Sequence, residues 1–137
     1  MNGKLKVLAV DDNSISLATI EQELKEEYEV IPLNSGVRAL QYLKREKPDL
    51  ILLDIQMKEK NGIETLKEIR DMEACKDIPV IMLTSMRDKE MVVESVKIGV
   101  EGYVIKPFNK KDLLERVDRV LKGDQWDVRF RQGFQKQ

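Results

Sequence analysis

The sequence predicts an α/β domain: five strands in a doubly wound parallel sheet, five helices on its two faces, and a short C-terminal extension. Short β-branched apolar runs recur along the chain, separated by segments whose apolar residues fall every three or four positions. The runs are nearly continuous rather than alternating, which suits strands buried on both faces. At 137 residues the chain is one domain's worth, long enough for a core without disulfide or metal staples.

Each element has its own signature. Val7-Leu8-Ala9-Val10 is the first strand and runs into Asp11-Asp12; Leu17, Ile20 and Leu24 then lay an apolar stripe along the first helix. Tyr28 to Leu33 alternates more and carries Pro32, as an edge strand can. Ser35 is placed to cap a second helix with Val37, Leu40 and Leu43 on its inner face. Leu50-Ile51-Leu52-Leu53 runs into Asp54, and Asn61-Gly62-Ile63-Glu64 opens a third helix lined by Ile63, Leu66 and Ile69. Val80-Ile81-Met82-Leu83 leads to Thr84-Ser85 and a helix carrying Val92 and Val96. Tyr103-Val104-Ile105 leads to Lys106-Pro107, and Asn109-Lys110-Lys111-Asp112 starts a helix with Leu113, Val117, Val120 and Leu121 inside. Gly99 and Gly123 stand where the fourth and fifth helices should end in a left-handed residue. The domain is expected to span residues 1–123, with 124–137 as the extension.

Composition narrows function. A formal charge of −1 with 36% charged residues asks for neither nucleic acid nor an anionic membrane. No apolar stretch approaches the roughly 20 residues of a membrane helix. Met1-Asn2-Gly3-Lys4 leads straight into the first strand, so no secretory signal and a cytoplasmic location are expected. Cys75 is the single cysteine, which excludes a disulfide framework and reads as a reduced surface or loop thiol. There is no histidine. That removes Ser-His-Asp and Cys-His catalysis and the commonest zinc ligand, and any phosphohistidine must belong to a partner.

In an open parallel sheet, ligands sit in the crevice outside the strand carboxyl ends. Here that crevice receives Asp11, Asp12, Asp54, Thr84 and Lys106. Adjacent Asp11 and Asp12 can converge only where the strand has ended and the chain turns, which Asn13-Ser14 permits. Three crowded carboxylates call for a positive charge between them, and Mg²⁺ accepts a few carboxylates while keeping several waters. Lys106 supplies a permanent cation and Thr84 a hydroxyl, both suited to phosphoryl oxygens. Asp54, after the central strand, is the expected nucleophile, forming an aspartyl phosphate.

With these residues the chain resembles a response-regulator receiver domain of two-component signalling, over Leu5 to about Leu121. The resemblance implies the flavodoxin-like strand order 2-1-3-4-5, and phosphorylation of Asp54 by a sensor histidine kinase or histidine phosphotransfer protein. It implies Mg²⁺ held by Asp11, Asp12, Asp54 and the backbone carbonyl of Gln56, and a cis bond before Pro107. It implies a switch in which Thr84 moves toward the phosphoryl group and Tyr103 follows, altering a helix 4–strand 5–helix 5 face that binds a downstream target or output domain. Self-association on phosphorylation, but no nucleic-acid or membrane binding by this chain, belongs to the same expectation. One stretch departs from the family pattern: Lys58 stands where a proline is usual, so a more mobile, more charged loop is expected. Ser85, Gln56 and Met86 flank the site and are candidates for tuning the lifetime of the phosphate.

Two other readings compete. An Asp-nucleophile, Mg²⁺-dependent phosphatase of the haloacid-dehalogenase type wants a second Asp two residues after the nucleophile, where this chain has Gln56. A receiver that docks without phosphorylation is opposed by the complete acid, hydroxyl and lysine set. In the extension, Trp126, Phe130 and Phe134 recur every four residues, as on one stripe of a short separate helix or bent continuation. Its expected roles are packing back on the domain, leading as a linker to an output domain, or docking a partner.

Overall fold

The computed structural model describes residues 3–85 and 87–123. Met86 and the aromatic stripe of residues 124–137 therefore lie outside the described residues.

The elements alternate as expected: β1 (Leu5–Val10), α1 (Ser14–Leu24), β2 (Tyr28–Leu33), α2 (Gly36–Leu43), β3 (Leu50–Asp54), α3 (Gly62–Asp71), β4 (Val80–Thr84), α4 (Lys89–Ile98), β5 (Gly102–Ile105) and α5 (Lys110–Leu121). All strand pairs are parallel and the order is β2-β1-β3-β4-β5, with β2 and its Pro32 at an edge. The order reverses between β1 and β3, whose carboxyl ends carry Asp11 and Asp54. Such a reversal leaves a crevice between diverging loops.

Side chains of the central strands divide between two cores with the period of two that a strand imposes. Val7, Ala9, Leu50, Leu52, Ile81, Leu83 and Val104 pack with Leu17, Ile20 and Leu24 of α1 and Leu113, Val117 and Val120 of α5. Leu8, Val10, Ile51, Leu53, Val80 and Met82 pack on the other face with α2, α3 and α4 through Ala39, Leu43, Leu66, Ile69 and Val92. Two expectations need correction. Val37 lies on the outer side of α2 and is 44% exposed; Gly36, Ala39 and Leu43 form the buried side, with Gly36 so close to Thr65 of α3 that a Cβ there would stand 2.2 Å from its hydroxyl oxygen. Cys75 is a loop residue but no surface thiol: it is 0% exposed within the second core, its Sγ 3.8 Å from the Leu43 carbonyl oxygen.

Side-chain caps fix where four helices start. Asn13, Ser35, Asn61 and Asn109 each accept a hydrogen bond from a first-turn N–H, and Asn61 and Glu64 form a reciprocal capping box. Gly99 (φ 122°) and Gly123 (φ 76°) hold the positive φ that an L side chain resists, as expected at the ends of α4 and α5. Among the described residues no helix is long and apolar enough to cross a membrane.

Candidate functional site

Asp11 sits one step beyond β1, where its N–H extends the ladder to Leu33 O (3.1 Å) and its Oδ1 accepts the N–H of Asn13 (3.0 Å). That local bond turns the chain into α1 and lets Asp11 and Asp12 share one side of the turn. Asp12 Oδ2 accepts the N–H of Lys58 at 2.9 Å, tying the β1–α1 turn to the β3–α3 loop. A proline at 58 has no N–H to give. The departure expected to loosen this loop thus brings a tether to Asp12.

Asp54 closes β3, and the backbone behind it admits nothing larger than hydrogen. A Cβ at Gly62 would stand 2.2 Å from Asp54 O and 2.8 Å from Ile55 Cα. Gly62 N–H also donates to Ile55 O at 2.9 Å, so the first residue of α3 is laid on the chain that presents Asp54.

The strand ends bring Asp11, Asp12 and Asp54 together, with one carboxylate oxygen from each within 4.8 Å of the others. Asp11 is 0% exposed, Asp54 is buried and Asp12 is open to solvent. From the end of β5, Lys106 Nζ reaches Asp11 Oδ2 at 2.7 Å and Asp54 Oδ2 at 3.5 Å. The Lys106-Pro107 bond is cis. Burial, then the charge of Asp11 and a hydrogen bond between the two carboxyls, push Asp54 up to about 7, against Lys106 and the N–H of Gln56. A single ammonium therefore leaves the cluster short of positive charge. Three oxygen ligands facing a solvent-open side fit a hard divalent cation that keeps part of its water.

Thr84 and Tyr103 belong to neighbouring strands, paired as Met82↔Tyr103 and Thr84↔Ile105. The buried Thr84 hydroxyl lies 3.1 Å from Asp88 Oδ2 and 3.0 Å from the Ser85 carbonyl oxygen, so it points along the β4–α4 loop. Tyr103 is half-buried against the core on the α4 side; burial raises its phenol and Arg116 of α5 draws it back. It thus stands on the α4–β5–α5 side, as expected. Gln56 turns its amide to Asp88 Oδ1 (2.9 Å) and Met91 Sδ (3.5 Å). A cleft beside Asp12 is lined by Ser35, Arg38, Lys58, Glu59 and Lys60 among others, so both signs of charge stand at its mouth.

Asp88 carries no functional signal in the sequence. An acid before an apolar-periodic segment reads as a helix cap, and the pattern says nothing about which way the carboxylate turns.

The family model for the response regulator receiver domain matches residues 7–118. The chain is 36% identical over 117 residues to the chemotaxis protein CheY of Halobacterium salinarum, covering 85% of this chain and 96% of that one. It is 37% identical over 123 residues to the transcriptional regulatory protein CpxR of Klebsiella pneumoniae, covering 88% of this chain but 51% of CpxR. Its backbone matches, at TM-score 0.79 and 27% identity, the crystal structure of the receiver domain of a Pseudomonas aeruginosa sensor histidine kinase with a magnesium ion coordinated in the active-site cleft. That match covers 88% of this chain and 99% of the other.

Proposed function

We propose, since this chain belongs to the response regulator receiver domain family of two-component signalling, that it is a phosphorylation-operated switch whose phosphoacceptor is Asp54. The observation that carries the assignment is the placement of Asp54 at the carboxyl end of a central strand, in a three-carboxylate cluster with the Lys106 ammonium 3.5 Å away. In the transfer, a carboxylate oxygen of Asp54 forms a bond to phosphorus as the P–N bond to a partner's phosphohistidine breaks. The imidazole nitrogen leaves with the bonding pair and takes a proton. These 137 residues hold no histidine, so the proposed donor imidazole lies outside them, on a histidine kinase or phosphotransfer module.

The chain's residues contribute positioning and charge, which is most of what a loose phosphoryl-transfer transition state asks of a protein. Lys106 balances charge on a phosphoryl oxygen once Asp54 carries the acyl phosphate. Thr84 donates its hydroxyl to a second oxygen after leaving its present acceptors. Asp11, Asp12, Asp54 and the Gln56 carbonyl are the proposed holders of Mg²⁺. When bound, the ion offsets the negative charge of phosphoryl group and carboxylates and keeps Asp54 ionised for attack. Withdrawal of Thr84 opens room on the β5 side, and Tyr103 is the proposed relay to the α4–β5–α5 face, where a downstream protein or output domain is read. The first 123 residues form the proposed receiver unit. The phosphatase alternative loses ground because Gln56, in the place of its second acid, commits its side chain to Asp88.

Incubation with Mg²⁺ and a small acyl phosphate should add one phosphoryl group by intact mass. Asp54→Asn should add none, and a phosphorylated Asp54→Asn protein would overturn the assignment. Docking without phosphorylation predicts no adduct on either protein.

A further inference from the structure

Of the five helices, α4 alone starts without a side-chain cap among the described residues. Its N-cap residue is Asp88, a good capping residue, yet the carboxylate makes no bond to the first turn of α4. It turns back instead and gathers donors from the strand ends. Oδ2 accepts from the Thr84 hydroxyl (3.1 Å), the Ser85 N–H (3.0 Å) and the Ser85 hydroxyl (3.1 Å); Oδ1 accepts from the Gln56 amide (2.9 Å). Burial works against the charge of Asp88, but these bonds outweigh it and hold the carboxyl below its ordinary range. An ionised acceptor is about twice as strong a partner as a neutral one.

The Thr84 hydroxyl has one proton. It is shared at present between Asp88 Oδ2 (3.1 Å) and the Ser85 carbonyl oxygen (3.0 Å), and it cannot serve these and a phosphoryl oxygen on Asp54 together. We infer that Asp88 is a positioning residue acting through Thr84: its carboxylate competes with the phosphorylated Asp54 for the Thr84 hydroxyl and so sets how readily the β4–α4 loop switches. This rests on the reading of Asp54 as phosphoacceptor. The uncapped start of α4 fits the same role, because releasing Asp88 from the strand ends returns to the helix an acceptor its first turn lacks. The switched loop thereby recovers part of what the unswitched loop holds.

The test is the affinity of the full chain for beryllofluoride with Mg²⁺, a non-covalent phosphoryl mimic, followed by fluorine NMR. Asp88→Ala should bind about tenfold more tightly than the wild type, the size of one charge-assisted hydrogen bond. Asp88→Asn, close in shape but uncharged, should move in the same direction by less, and serves if the alanine variant folds poorly. In a Thr84→Val background the Asp88 substitutions should change affinity by less than about twofold. A structural role for Asp88 would not depend on Thr84. Unchanged or weaker binding by the Asp88 variants, or undiminished tightening in the Thr84→Val background, overturns the inference while the phosphoacceptor reading stands. A wild-type chain that does not bind beryllofluoride overturns both.

Discussion

Asp54 is held in the folded chain at a proton affinity it would not have in the open chain. Its carboxyl is pushed up to about 7, against about 4 for an unfolded Asp. Between those values the folded protein keeps a proton that the unfolded chain has released. In metal-free buffer, therefore, the contribution of Asp54 to stability is fully present below about pH 4 and is lost as pH rises through about 7. Asp54→Asn should flatten that fall and make the metal-free protein on the order of 2 kcal/mol more stable at pH 8. Thermal melts from pH 4 to 8 measure both, and a wild-type slope of the opposite sign would show that Asp54 is not the group responsible. Mg²⁺ favours the ionised form, so added Mg²⁺ should abolish the same slope. The members of the acid cluster, Lys106 and Thr84 are legible in the sequence because each ends an apolar run. Asp88 is not, because a capping position fixes a residue's place on the chain and not the rotamer that decides whom it serves.

Elements are legible to the extent that they follow periodic patterning. Their junctions are set by contacts between segments distant in the chain. The start of α3 shows this. Asn61 and Glu64 announce a capping box, and the structure has it. Nothing in Asn61-Gly62 announces that Gly62 lies against the Asp54 backbone, with room for hydrogen only. Gly62→Ala should cost about 3 kcal/mol, because backbone atoms and not a flexible side chain would have to move. Asn61→Ala, which removes only the cap, should cost about 1 kcal/mol. Urea titrations of the two variants rank them, and a Gly62→Ala protein as stable as the wild type would refute the close approach. Arg70 is a second hidden junction. From the end of α3 it donates to Gly99 O (3.0 Å), Lys76 O (3.0 Å) and Ile78 O (2.7 Å), and its Nη2 meets Glu101 at 3.1 Å. On the sequence it is one charge among many on a helix.

At the scale of the whole molecule, the sheet divides the protein into a core toward α1 and α5 and another toward α2, α3 and α4. Alternation within the strands gives this division directly, since each apolar run feeds both sides. The misplacement of Val37 and Cys75 has a common cause. Both lie by the packing of α2 on its neighbours, where Gly36 stands against Thr65 of α3, Ala39 takes an inner position, and Cys75 beyond α3 fills a gap beside Leu43. Pattern reading weights large apolar residues and undervalues small ones at tight packing. The chemical ends of the strands, in contrast, gather on one rim, with Tyr103 two residues back from that rim on the side of α4.

The sealed position of Cys75 makes the protein its own reporter of opening. A thiol in the packed face, with its sulfur against the Leu43 carbonyl oxygen, reacts with a disulfide reagent only after the α2–α3–α4 side parts from the sheet. Labelling of the native protein should run several orders of magnitude slower than labelling in denaturant. Its dependence on urea should give the surface exposed when that face opens. A rate near that of a free thiol in native buffer would mean that the face breathes without unfolding. A slow rate leaves Cys75 silent beneath any cysteine introduced at exposed Ile15, so a single surface probe can be attached while the native thiol stays in place.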